Sequence, residues 1–211
     1  MDTYAHFISR KTKQGIQIFR YNTEFHSVRG SGKAIGLVVM MNPGEARPKD
    51  EDIFELLQES EYETSTPVLT RPDNTMKKVM GLIEKAYEQD EITMPEKYTI
   101  HIENIFNIRE KNSDQAKKYA KGMTDLQNIM FKKREYKDEY QFVFFAWGKL
   151  DVGEIYQEEL KKRFPNAIIV NKKNMQGKIT EVDYPVHPLY MNTEFFLESS
   201  RGKIKNGIYC K

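Results

Sequence analysis

The stretch Ala34-Ile35-Gly36-Leu37-Val38-Val39-Met40-Met41 constrains this chain more than any other, because it is apolar throughout and then stops abruptly at Asn42-Pro43-Gly44. A strand with one face in water alternates apolar and polar side chains. A continuous run must be covered on both faces, as central parallel strands are. In open α/β sheets, ligands bind where such strands end. Asn42 is the side chain delivered there, and Pro43 and Gly44 let the backbone turn sharply and approach a ligand closely. The plainer alternative is a strand followed by an ordinary turn.

The rest of the chain repeats the pattern. Tyr98 to Phe106 alternates like a strand and runs into polar residues, with Asn104 near its end. Gln141 to Trp147 is a second apolar run with Gly148 at its exit, and Ala167 to Val170 is a third, short one. Amphipathic segments lie between them: a short helix around Ile53, Phe54, Leu56 and Leu57, then Met76, Val79, Met80, Ile83 and Ala86 at helical spacing behind a cap at Asp73 or Asn74. The methionines there read as packing rather than as a cofactor box. A third stripe, Ala116 to Met130, starts near Ser113 or Asp114. The basic run Lys132-Lys133-Arg134 at its end reads as compensation of the helix dipole rather than as a nucleic-acid patch. Helices are also expected over Val152 to Phe164 and Thr193 to Ser199. Tyr4 to Ser9 and Ile16 to Arg20 suggest a small hairpin or sheet-edge element, while Tyr21 to Lys33 and Glu59 to Arg71 read as loops.

Strands alternating with helices predict one α/β domain over the 211 residues, a three-layer α/β/α sandwich with a mostly parallel central sheet. Right-handed crossovers would put the strand ends on one edge, so that Asn42, Asn104, the Trp147-Gly148 turn and the His187 loop converge. Thirty-three Lys and Arg against 31 Asp and Glu give a net charge of +2, so any polyanion site must be local. A single cysteine, Cys210, disfavours disulfide, cysteine-rich zinc or iron–sulfur chemistry. No stretch approaches a membrane span and Met1 to Arg10 lacks a signal peptide's apolar core, so a cytoplasmic protein without a membrane partner is expected.

Taken together, Met40 to Ala46, Glu103-Asn104-Ile105-Phe106, Phe145-Ala146-Trp147-Gly148 and His187-Pro188-Leu189-Tyr190 resemble family 1643 of bacterial and phage domains of unknown function. The same order resembles the uracil-DNA glycosylase superfamily, and Asn-Pro-Gly in the first motif is most similar to its mismatch-specific and thymine-directed branch. The resemblance implies a glycosylase that flips uracil or a related damaged pyrimidine out of DNA and hydrolyses its glycosidic bond without a cofactor. Under it, Asn42 positions the attacking water and a neutral His187 donates to base O2. Asn104 reads the N3–H and O4 edge, Phe54 is a candidate to stack on the base, and Gly44, where the most uracil-specific enzymes carry Tyr, leaves room for a thymine methyl. Pro43 and Pro188 would lie against DNA, with Leu189, Tyr190 or Met191 as the wedge that fills the vacated stack. Leu189 directly after His-Pro removes the usual Ser and its phosphate contact.

Other readings stay open. The fold could hold nucleic acid or a nucleotide without cleaving it, or act on free nucleosides. A protein inhibitor or regulator is a further candidate occupant of the cleft. An amide cannot serve as a general base, so Asn42 alone is a weak catalyst.

Overall fold

A computed structural model describes residues 1–136, 140–175 and 178–204. Cys210 lies outside the described residues, as do Gln176 and Gly177. In chain order the elements are β1 (Asp2–Thr12), β2 (Gly15–His26), β3 (Lys33–Met40), β4 (Arg47–Pro48), α1 (Glu51–Glu59), β5 (Tyr62–Glu63), β6 (Val68–Arg71) and α2 (Asn74–Gln89). There follow β7 (Tyr98–Asn104), α3 (Ser113–Gly122), α4 (Gln127–Met130), β8 (Phe142–Ala146), α5 (Glu154–Arg163), β9 (Ile168–Ile169), β10 (Lys172–Met175), β11 (Lys178–Glu181) and α6 (Thr193–Ser200). Two 3₁₀ turns, Thr124–Leu126 and Pro188–Tyr190, complete the set.

The apolar run becomes the middle of a parallel block. β3 pairs in parallel with β7 on one side and β8 on the other, and β9 extends β8 in parallel. Every residue of β3 beyond Lys33 is buried, because helices cover both faces. Val38 and Met40 pack in one core with Val79 and Ile83 of α2 and Phe196 of α6. Leu37 and Val39 pack in the other with Ala116 and Ala120 of α3, Met130 of α4 and Leu160 of α5.

The sheet as a whole is mixed, which corrects the expectation of a mostly parallel one. Its order is β4-β6-β1-β2-β7-β3-β8-β9, with β5 also on β1. The two residues between Thr12 and Gly15 are too short a link for a parallel crossover, so β1 and β2 pair antiparallel, and β2 then pairs antiparallel with β7. The N-terminal hairpin is therefore long and internal rather than an edge element, and Tyr21 to His26 is strand, not loop. Part of the 59–71 segment is also strand: β5 and β6 pair with β1 and cover the edge it would otherwise expose.

Within Lys132-Lys133-Arg134 only Lys132 is exposed; Lys133 and Arg134 turn inward instead of compensating a helix dipole. Lys133 Nζ donates to the carbonyls of Asn104 and Ile105, where β7 stops, and lies 4.4 Å from the Tyr156 ring centroid. Arg134 Nη2 donates to Thr23 O at 3.0 Å and Nη1 to Glu24 Oε1 at 3.4 Å, with the Glu103 carboxylate alongside. Glu103 accepts from the backbone N–H of Asn104 and Arg134. Burial pushes Glu103 up, against the pull of Lys133 and Arg134, and pushes Lys133 down to about 8, against the pull of Glu103. Lys132 sits over the Tyr21 ring at 4.1 Å.

Candidate functional site

The carboxyl ends of β3 and β8 open into a cavity of 300 Å³, and the first and last motifs meet there: Asn42, Gly44, His187, Leu189 and Tyr190 all line it. Asn42 leaves the end of β3 half-buried, and its Nδ2 donates to Glu110 O at 2.7 Å. Arg109 anchors the same turn, donating from Nε to Ala46 O at 3.0 Å and from Nη2 to Glu45 O at 2.8 Å. The loop after β7 thus locks the loop after β3, and with Nδ2 committed the free polar atom of Asn42 is Oδ1.

Asp73 is the residue the sequence signalled only as a helix cap. Its Oδ1 accepts the Met76 N–H at 2.9 Å, starting α2, yet the same carboxylate lines the cavity. Gly44 makes room for it: at φ +62° it occupies left-handed backbone, and a Cβ there would lie 2.5 Å from Asp73 Oδ2. Beneath this carboxylate, Arg20 is fully buried, and its charge interacts with Asp73 and Arg109. Burial pulls the Arg20 guanidinium down to about 10, with Asp73 opposing the shift.

His187 comes from the stiff loop between Pro185 and Pro188. The loop is tied to the strand ends by Gly148 N–H on Pro185 O at 2.9 Å and by Val186 N–H on Val170 O at 2.7 Å. Lys78 of α2 holds its far end, donating to Met191 O at 2.7 Å and Leu189 O at 3.4 Å. The Leu189 N–H points at His187 Nδ1 at 3.4 Å, which makes Nδ1 the acceptor and leaves the proton of the neutral ring on Nε2. Burial drives the imidazole pKa down to about 4; Asp73 opposes this and Lys78 assists it. At neutral pH the ring is an uncharged donor.

Lys111, Lys117, Lys149 and Lys173 also line the cavity. Lys111 meets Glu45 and Lys117 meets Asp114, each at 3.4 Å. Lys149 and Lys173 have no carboxylate partner among the described residues. A chain of near-zero net charge thus carries a local basic ring. Its members come from two loops, a helix and a strand, so no run of lysines in the sequence announces them.

Other candidates fall elsewhere. Asn104 is 1% exposed and does not line the cavity; neither its Oδ1 nor its Nδ2 has a hydrogen-bond partner among the described residues. A side chain sealed beside Met40, its ladder neighbour on β3, cannot read a base edge in this conformation. Phe54 lies outside the cavity wall, its ring faced by the guanidinium carbons of Arg47 at 4.7 Å and Arg109 at 5.2 Å, so it does not stack on a ligand there. Pro43 and Pro188 are buried and shape the backbone instead of offering a DNA-facing surface. Met191, 2% exposed, packs in the core with α2 and α6, which removes it as a wedge; Leu189 and Tyr190 are 45% and 70% exposed at the rim. Among the described residues no group of three or more His, Cys, Asp or Glu side chains could hold a metal ion, and no helix is long and apolar enough to cross a membrane.

Comparison of the chain with family models, with curated proteins and with solved structures gives no match in any of the three.

Proposed function

We propose that this chain is a monofunctional glycosylase that flips uracil or a related damaged pyrimidine out of DNA and hydrolyses its N-glycosidic bond in the 300 Å³ cavity. One observation carries the reading. Asn42, Asp73 and His187 share the cavity, and each spends one polar atom on protein backbone while a second stays free: Oδ1 of Asn42, Oδ2 of Asp73 and Nε2–H of His187. Those three atoms offer two acceptors and one donor, beside the second N–H of the Asn42 amide, in a cavity at the small end of ligand sites, which begin at about 300 Å³. Helices on both faces and a cavity at the carboxyl edge fit the three-layer arrangement of the uracil-DNA glycosylase superfamily, and the basic ring fits a phosphate backbone.

The chemistry follows from those atoms. As the C1′–N1 bond lengthens, its electron pair moves into the pyrimidine and positive charge grows on the sugar. Nε2–H of His187 donates to the base oxygen that gains negative charge; because the ring is already neutral, it does so as a hydrogen-bond donor rather than as a strong acid. Water bonds to C1′, oriented by Asn42 Oδ1, and passes its proton to the Asp73 carboxylate, which also offsets the charge on the sugar. Asp73 supplies the base that Asn42 cannot be.

The test is base release from single- and double-stranded DNA containing uracil, read as abasic sites. Asp73→Asn should keep the helix cap, since Asn caps as well as Asp, and lower the rate by about 10²-fold or more. His187→Ala should lower it by about 10²- to 10³-fold. Base release that survives in a doubly substituted Asn42→Ala, His187→Ala protein refutes the assignment. The basic ring by itself favours a second reading, a module that binds nucleic acid or a nucleotide without cleaving it. Salt-sensitive binding with no abasic product from any pyrimidine tested would select that one.

A further inference from the structure

A second recess, of 420 Å³, adjoins the first and shares Lys173, Leu189 and Tyr190 with it. The ridge between the two is exposed in its side chains and fixed in its backbone. Tyr190 N–H donates to His187 O at 3.0 Å and Met191 N–H to Pro188 O at 3.1 Å, while Lys78 grips two carbonyls from below. The Lys173 ammonium lies 5.3 Å from the Tyr184 ring centroid and 5.9 Å from that of Tyr190. Tyr184 lines only the first recess and Tyr190 lines both, so this cation stands at the boundary. On the far side, Asn192 commits Oδ1 to the Glu194 N–H at 2.6 Å and keeps Nδ2 free, and Asn174 is exposed beside it.

We infer that the second recess takes the base of the nucleotide next to the flipped one, on a continuous single strand whose intervening phosphodiester lies against Lys173. This rests on the reading of the first cavity as a base site and names its substrate more closely. A tyrosine wall stacks any base, amides at the opposite side can meet base edges, and the unpaired cation sits where two adjacent nucleotides must place their phosphate. In a duplex the neighbouring base remains stacked and paired, and so cannot enter a recess. A free nucleoside would use only half the site.

The experiment measures binding of single strands carrying one 2′-fluoro-deoxyuridine, whose fluorine resists cleavage by disfavouring positive charge at C1′. In two further strands the base on the 5′ or the 3′ neighbour is removed. One of these should bind about 5-fold more weakly or worse, the loss expected for one stacked base. Tyr190→Ala, at an exposed position, should weaken the intact strand comparably and erase the difference between strands. Equal affinity of all three strands, or a difference that persists in Tyr190→Ala, overturns the proposal. Because binding is read without cleavage, a neighbour effect in a protein that forms no abasic sites would refute the glycosylase reading and leave the paired recesses standing.

Discussion

Two clusters of ionisable and amide side chains lie close to the ends of the parallel strands, and they are built on opposite terms. At the carboxyl edge, Asn42, Asp73 and His187 are half-buried, and each keeps a polar atom unspent. On the face covered by α3, α4 and α5, Glu103, Lys133 and Arg134 are sealed, and their charges are spent on one another and on the backbone carbonyls and N–H groups where β7 ends. A sequence reader meets charged and amide residues in both. Unspent hydrogen-bonding capacity beside a cavity distinguishes a site from a structural joint, because only the first can gain by meeting a ligand.

Substitutions should separate the two clusters. The largest effect is expected for Glu103→Ala, which leaves Lys133 without its carboxylate and Arg134 with Glu24 alone; urea unfolding should show a loss of about 3–5 kcal/mol. A loss below 1 kcal/mol would mean the sealed cluster holds nothing together. His187→Ala should behave the opposite way, lowering base release by about 10²- to 10³-fold while leaving unfolding within about 1 kcal/mol of the parent.

Acid should act on the cavity in a defined window. A histidine whose folded pKa is lowered from 6.5 to about 4 binds protons more readily when unfolded, so its contribution to stability is complete above pH 6.5 and is lost as pH falls towards 4. NMR titration of the His187 ring should find its midpoint near 4, and a midpoint above neutral pH would leave the ring mostly charged and remove the neutral donor from the mechanism. Gly44→Ala should cost about 1–2 kcal/mol from left-handed backbone alone and lower base release further by displacing the Asp73 carboxylate. The smallest effect is expected for Lys149→Gln. Stability should be unchanged, while the slope of log affinity against log salt should fall by roughly 0.7 for single-stranded DNA, and an unchanged slope would place Lys149 away from the phosphates.

Much of the fold was legible because its causes are local. The buried strands β3 and β8 follow from apolar runs, α2 from its cap and helical spacing, and the hairpin turn from Gly15. The helix expected from Ala116 to Met130 instead breaks between α3 and α4 at the Thr124–Leu126 turn, which a continuous apolar stripe does not reveal. In the site, Asn42 and His187 could be named in advance, since a strand end and a double-proline loop each declare a side chain. Asp73 could not, because a cap and a cavity carboxylate look alike until α2 is laid against the turn at Gly44.

By itself the sequence determined which segments must be covered on both faces and where the chain turns, because hydrophobic periodicity and backbone restriction act over a few residues. The tertiary structure alone decided that half the sheet runs antiparallel and that Asn104 faces inward unpartnered. It also decided that Lys133 is buried under the end of β7 and that four lysines from distant segments ring one cavity. Those outcomes depend on which strands become neighbours, and that is settled by burial and hydrogen bonding summed over the whole chain.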